Sequence, residues 1–366
     1  MNLLGKGPLT LPARGLLSII GKRLLQALFV AWAVGSITFV LMRLLPGDAA
    51  YRIAASRYGY DYVNVRAAEA VRAELGLDRP ALEVYGRWLF DLLRLRLGNS
   101  LISGQSVLHE ISRSLHYSVQ LAGLAMLFSL LLAVPVGIAC GKGRLRAEHR
   151  GKRSGLLLDH FVLFVSIFIR VQPVFVVGLL LLLIFALGLG IFPVAGYGSG
   201  PDSLRYLMLP ALSLALGSAA VSNRIVRNAT MKVCDSPYYL FARLKGLNDE
   251  QAFERHARLN IALPLISFIG IQTVTLIEGI VMIESLFSWP GIGHALAHSI
   301  FGRDIPMIQG AALLMGLLFV LVNTVTDLLH YLLDPRLHGS SPRLGLTPES
   351  ASESASGSAL TLKAPE

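Results

Sequence analysis

Polar side chains within apolar stretches are the residues of this chain best able to do chemistry. Gln272, Thr275 and Glu278 recur every three residues and cover about a third of a helix circumference. Such groups are costly in lipid unless they face protein or water. Two roles fit this face: lining a translocation path that favours a cationic or amine-bearing substrate, or hydrogen bonding between the helices of a bundle.

A second polar pair, Asn323 and Asp327, lies four residues apart towards the end of the last apolar stretch. We interpret this pair as structural. An alternative is that Glu278 and Asp327 carry protons across the membrane, as in an ion-coupled secondary transporter. That alternative needs no ATPase partner.

The sequence contains no nucleophile–base pair and no complete metal-ligand pattern, so we predict no catalytic residue, no metal site and no cofactor. His294 and His298 could share a helix face, but no Glu or Cys at motif spacing accompanies them, and we interpret them as outer surface. Cys140 and Cys234 indicate no disulfide framework. The chain also lacks the G-x-x-x-x-G-K-[ST] phosphate loop of an ATPase.

The composition predicts an all-α polytopic membrane protein that holds these side chains between membrane-spanning helices. Hydrophobic residues make up 54% of the chain and charged residues only 15%, against about 25% in soluble domains. Pro173 is expected to divide the long apolar run 155–189, leaving 156–170 as an approach or interfacial helix. Six spans are predicted, at about 24–45, 117–138, 172–190, 204–221, 265–286 and 307–328.

Basic residues predict the orientation of these spans. The formal net charge is +10, and the excess lies in 1–23, 141–153 and 222–263. By the positive-inside rule these segments are cytoplasmic, which places both termini inside and accounts for the charge without a nucleic-acid partner. Segment 46–115 is then a large first outer loop, with helix between 61 and 97. Trp289 is expected in the aromatic belt.

The same pattern divides the chain into three parts. Residues 1–23 form a cytoplasmic N-terminal segment, and 24–338 form a transmembrane domain. Residues 339–366 are rich in Ser, Gly, Ala and Pro and are predicted to be a disordered cytoplasmic tail.

Segment 236–264 is a polar island that predicts a cytoplasmic helix–turn–helix unit. Ser236 can cap the first helix, with Pro237 at its first position. Gly246 ends that helix with a residue free to take positive φ. Asn248 can cap the second helix, with Gln251 as its capping-box partner, and Pro264 is expected to close the unit.

The spacing of this segment resembles the coupling loop of ABC importer permeases of the dipeptide/oligopeptide/nickel branch. LPGD at 45–48 and ESLFSWPGIG at 284–293 are also similar to that branch. Ala49 replaces the usual proline, and Arg170 and Gln172 replace the small polar residues usual before Pro173. The coupling-loop resemblance is carried by Tyr238, Ala242, Arg243, Lys245, Gly246, Leu247, His256, Asn260 and Pro264.

The resemblance implies a multi-pass permease subunit of the bacterial inner membrane whose residues 242–247, with Tyr238, contact an ATPase. The implied partners are a second homologous permease, two cytoplasmic ATPase subunits and an extracytoplasmic solute-binding protein. The implied mechanism is alternating access. Nickel or a metal chelate and short peptides both remain open as substrates, with ARLKGLNDEQ, AGYG and SIFGRDIP closer to nickel-type permeases.

Overall fold

A computed structural model describes residues 13–44, 47–59, 63–75, 80–94, 96–150, 153–198 and 200–333. Within those ranges the regular structure is helical, apart from one isolated bridge between Asn99 and Ser106. The predicted tail 339–366 and the first twelve residues lie outside the described ranges.

Thirteen α-helices are described. In chain order they are α1 (Ala13–Leu44), α2 (Ala49–Tyr58), α3 (Val65–Leu75), α4 (Ala81–Leu93), α5 (Val107–Arg150), α6 (Arg153–Val171), α7 (Val174–Leu181), α8 (Ser203–Cys234), α9 (Pro237–Leu244), α10 (Asp249–Ala252), α11 (Arg258–Leu286), α12 (Ile292–Gly302) and α13 (Ile305–Leu333).

Five of the described helical segments are long and apolar enough to cross a membrane, and a sixth span results if α6 and α7 are taken together. The axes of α6 and α7 differ by 105° at Pro173. Proline has no N–H and disfavours helix at the residue before it, so the break falls where the sequence predicts it. After α7 the chain continues as a π-helix, Leu182–Gly188.

Several helices extend beyond the predicted spans. The predicted span 117–138 lies within the much longer α5, and the predicted basic loop 141–153 is helical as far as Arg150. Likewise α8 continues past residue 221 to Cys234. Lys and Arg are good helix formers, and no proline interrupts either stretch, so basic charge does not mark the helix end.

Helices α5 and α8 form the most extensively packed helix pair of the described fold. A Cβ on Gly137 would lie 2.8 Å from Val226 Cβ, and one on Gly141 would lie 2.8 Å from Thr230 Cβ. Only glycine permits such an approach, as is usual where membrane helices pack through small residues.

A buried carboxylate ties α5, α6 and α8 together at the end that carries the 236–264 segment. Asp159 on α6 is fully buried. It accepts hydrogen bonds from Arg227 Nε, from Arg227 Nη2 at 2.6 Å and from Arg144 Nη1 at 3.3 Å. The paired geometry compensates for removing the carboxylate from water.

At the opposite end, the predicted helical region between 61 and 97 forms two helices, α3 and α4. Asp304, just before α13, fixes the neighbouring loop by accepting from Ser100 Oγ and from the Leu101 N–H at 3.1 Å. These contacts connect the first outer segment to the last helices of the bundle.

We predict that Asp159→Ala destabilises the fold by about 3 kcal/mol, because two arginines would lose their buried partner. The thermal unfolding midpoint of the purified protein in detergent measures this. Glu83→Ala is the matched control, since Glu83 forms an exposed i,i+4 pair with Arg87 worth about 0.5 kcal/mol. Equal midpoints for the two variants would contradict a stabilising role for Asp159.

Candidate functional site

The first candidate site is the unit formed by α9, the following turn and α10. Helix α9 begins with Pro237 at its first position and Ser236 as N-cap, as predicted. The Ser236 side chain does not cap the helix, however, because its Oγ donates backwards to the Val233 carbonyl at 2.5 Å. That bond links the start of α9 to the end of α8.

The turn after α9 follows the prediction closely. Gly246 has φ +92°, and no heavy atom lies within 4 Å of where a Cβ would stand. The Asn248 side chain accepts from the Gln251 N–H at 2.8 Å, while Gln251 Oε1 accepts from the Asn248 N–H at 3.3 Å. This reciprocal capping box starts α10 and makes the turn a defined, rigid structure.

Two residues of the predicted coupling set pack inward and stabilise the unit. Ala242 is buried in an apolar cluster that also includes Tyr239 and Phe253, and Leu247 packs against its edge. Tyr239 donates its hydroxyl to the Asp249 carbonyl at 3.2 Å. Burial, with Cys234 and Asp249 nearby, raises the pKa of Tyr239 to about 12, so the hydroxyl keeps its proton.

The two basic residues of the set lie on the surface of the unit and are held locally. Arg243 Nε lies 2.9 Å from Asp249 Oδ1, an ion pair across the turn. Lys245 Nζ lies 4.6 Å from the ring centre of Phe241. Both cations are therefore orientated by the unit itself rather than extended freely into solvent.

The outward face of α9 is apolar, a feature that the motif did not predict beyond Tyr238. Tyr238, Phe241 and Leu244 recur every three residues and are 46%, 57% and 76% exposed. Leu240 beside them is also exposed. An apolar helix face with this exposure is typical of a surface that docks another protein.

The second helix of the unit runs directly into the bundle. A π-helical turn, Phe253–Ala257, joins α10 to α11, so that helix is continuous from Asp249 to Leu286. Pro264 was predicted to close the unit, but it lies inside α11. Membrane helices tolerate an internal proline because neighbouring groups satisfy the freed carbonyl.

The second candidate site is a cavity of about 280 Å³ beside the bend between α6 and α7. It brings together Gln272, Thr275 and Glu278 of α11 with Arg170 and Gln172. The three α11 residues therefore share one cavity, as their spacing predicts. Gln272 is buried, Thr275 is half-buried and Glu278 is exposed.

In place of the predicted structural pair on α13, Asn323 and Asp327 each bond to a different partner. Asp327 accepts from Arg23 Nε of α1 at 3.0 Å. Asn323 instead donates to the Phe319 carbonyl at 2.8 Å. Asp327 is thus structural, as predicted, but its partner is a distant arginine rather than Asn323.

No role was predicted from the sequence for a glutamate that is buried at the end of α11. Glu284 is fully buried and accepts from Ser118 Oγ at 2.6 Å and from the Gly293 N–H at 2.7 Å. Trp289 beside it is also fully buried and donates to the Tyr117 carbonyl at 3.1 Å, so its placement in an aromatic belt was wrong. The adjacent W-P-G-I-G string, with its glycines, was the sequence signal for this tight turn.

The two histidines lie together on α12 without completing a metal site. The ring centres of His294 and His298 are 4.5 Å apart, and burial and the neighbouring His298 lower the pKa of His294. Across the described residues, no group of three His, Cys, Asp or Glu side chains could hold a metal ion.

A multi-pass helical bundle with an exposed apolar helix face on one side and a polar cavity within has the architecture expected of a membrane permease. Comparison with known proteins identifies its family. Residues 133–339 match the family of binding-protein-dependent transport system inner membrane components, and the chain belongs to that family. It is therefore a permease subunit of an ABC importer in the bacterial inner membrane, a transport component rather than an enzyme.

Relatives cover almost the whole chain. The di/tripeptide transport system permease protein of Pseudomonas aeruginosa is 33% identical over 346 residues, which cover 88% of this chain and 99% of the relative. The glutathione transport system permease protein of Salmonella paratyphi A is 31% identical over 322 residues, with the same coverage of both chains.

We predict that Tyr239→Phe loosens the coupling unit without unfolding the bundle, because it removes one hydrogen bond worth about 1 kcal/mol. Hydrogen exchange of the Asn248 and Gln251 backbone amides, in the adjacent capping box, reports local opening and should rise about fivefold. The amide of fully buried Val226 in α8 provides an internal control. An unchanged exchange rate would show that the hydroxyl contributes nothing.

Proposed function

We propose that this chain forms half of a pore for short peptides and that partner ATPases drive it through segment 236–264. The exposed apolar face of α9, mounted on a capped turn that is continuous with α11, is the observation that carries this proposal. Residues 24–338 constitute the translocation domain, and 236–264 faces the cytoplasm.

The coupling residues have complementary roles in this proposal. Tyr238 contributes to the exposed apolar face that meets the ATPase, while Ala242 and Leu247 fix α9 against the bundle. Arg243 and Lys245 present positive charge at the rim of that face. Gly246 allows the turn that directs α9 outward.

The proposed assembly contains a second homologous permease, two cytoplasmic ATPase subunits and an extracytoplasmic solute-binding protein. The family description supports the solute-binding protein, and permease subunits of this class work with separate ATPases. The pore would form where the cavity side of this chain meets the second permease.

Short peptides are the favoured cargo because relatives of this chain are named as di/tripeptide and glutathione permeases. Nickel or a metal chelate is the second candidate, favoured only by the likeness of three segments to nickel-type permeases. The ion-coupled alternative is not favoured, since the family is ATP-driven and Asp327 is paired with Arg23.

We predict that Gly246→Asp abolishes uptake of a labelled dipeptide while the protein still reaches the membrane. A side chain at this positive φ costs about 1 kcal/mol and deforms the docking turn. Cells lacking the chain are complemented with wild type or variant, and dipeptide and nickel uptake are measured in parallel. Membrane levels are compared by immunoblot.

Gly190→Asp is the matched control for this experiment. Gly190 also has positive φ, +64°, and open space around it, but it lies between α7 and α8. It should retain uptake. If Gly246→Asp retained wild-type uptake, the case for coupling through this turn would be removed. If the wild-type chain restored nickel uptake but not dipeptide uptake, the cargo would be nickel rather than peptides.

We predict that Leu244→Glu weakens ATPase binding at least about tenfold, because it removes an apolar contact of about 2 kcal/mol and adds a charge to the interface. Leu244 is 76% exposed, so the permease itself should fold normally. The measurement is recovery of ATPase subunits with the tagged permease. Leu82→Glu, at a position 83% exposed on α4, should not alter recovery.

A further inference from the structure

The cavity beside the bend holds two opposite charges that have no partners in the described structure. Arg170 lies in the last turn of α6 and Glu278 lies on α11, and both line the cavity. Neither side chain forms a hydrogen bond or ion pair with another described residue. Both residues are exposed in the isolated chain, so both charges are accessible to a partner from outside this bundle.

Gln272 presents an amide to the cavity. Its side chain lines the cavity and forms no hydrogen bond with another described residue. Its polar atoms are not among the fully enclosed ones, so they are accessible from the cavity. An amide both donates and accepts, which is what a peptide bond requires of a binding partner.

The start of α7 adds a second group that favours anions. Pro173 is its N-cap and provides no side-chain cap, so the first N–H groups of the helix lack intrahelical partners. Val174, the first residue of α7, lines the same cavity. In broken membrane spans, the N-terminus of the half-helix commonly faces an anionic group of the substrate.

The dimensions of the polar face suit a short peptide. Glu278 lies six positions after Gln272, which corresponds to about 9 Å along the axis of α11. An extended dipeptide or tripeptide measures about 7–10 Å. The cavity volume of about 280 Å³ lies just below that of ligand pockets, about 300–1,000 Å³, and the second permease would enlarge it.

We infer that this cavity binds the two charged ends of a short zwitterionic peptide: Arg170 and the first N–H groups of α7 receive the carboxylate, and Glu278 receives the ammonium group. Gln272, about 9 Å along α11 from Glu278, hydrogen-bonds the peptide near its carboxylate end. This inference rests on the proposed function and adds to it a selective site within the permease, distinct from the solute-binding protein.

Equilibrium binding to the purified permease–ATPase complex in nanodiscs tests the inference. Nucleotide and solute-binding protein are omitted, so that the measured preferences are those of the permease and not of the solute-binding protein. The probes are labelled dialanine, N-acetyl-dialanine and dialanine amide. Wild type should bind dialanine about tenfold more tightly than either blocked form, because each blocked form loses a charge-assisted hydrogen bond.

The variants should affect recognition of the two ends of the peptide separately. Glu278→Gln should lose the preference over N-acetyl-dialanine and keep that over the amide. Arg170→Gln should show the reverse pattern, while Arg170→Lys should retain part of the preference over the amide. Glu83→Gln, on the exposed surface of α4, should change neither ratio.

Two results would overturn the inference: no saturable dialanine binding by the wild-type complex, or preferences that do not shift separately in the two variants. Cellular uptake distinguishes failure of the proposed peptide site from failure of the proposed transport function. If dipeptide uptake is normal but the preferences do not shift, the terminal-recognition site is wrong and the peptide permease stands. If uptake of dipeptide is absent, the proposed function fails first.

Discussion

One continuous helix connects the unit formed by α9, the turn and α10 to the cavity of this permease. From Asp249 to Leu286 the chain forms 38 helical residues, about 57 Å in length. The capping box lies at one end, the polar face of the cavity in the middle and Glu284 near the other end. Because a helix satisfies nearly all of its own backbone groups, it stays intact in lipid. The π-helical turn Phe253–Ala257 and Pro264 lie between the capping box and the cavity, and they are the points at which this helix can bend.

Such a helix transmits motion only if its surroundings are firmly packed. At the coupling end, Asp159 holds α5, α6 and α8 through Arg144 and Arg227. At the other end, Glu284 joins α11 to α5 through Ser118. Each carboxylate is fully buried, and each is compensated by several donors rather than by water. The cavity between them is lined by polar side chains without such compensation, among them Arg170 and Glu278.

Local chemistry made part of this arrangement predictable. The capping box at Asn248, the positive φ of Gly246 and the break at Pro173 each depend on residues within one turn, so the sequence alone predicts them. The partners of Glu284 and Asp327 depend on contacts across 166 and 304 positions of the chain, which periodicity does not encode. Helix ends were misplaced for a related reason, since basic charge marks a membrane boundary and not the end of a helix.

The bend at Pro173 makes the cavity sensitive to the position of α11. Helix α7 packs closely on that helix, since a Cβ on Gly178 would lie 3.0 Å from both Ile283 Cδ1 and Leu286 Cδ2. Helix α6 is held separately by Asp159 and meets α7 at the bend. Under the proposed mechanism, a shift of α11 would carry α7 more directly than α6. Arg170 and Glu278 lie on opposite sides of that division, so such a shift would change their separation.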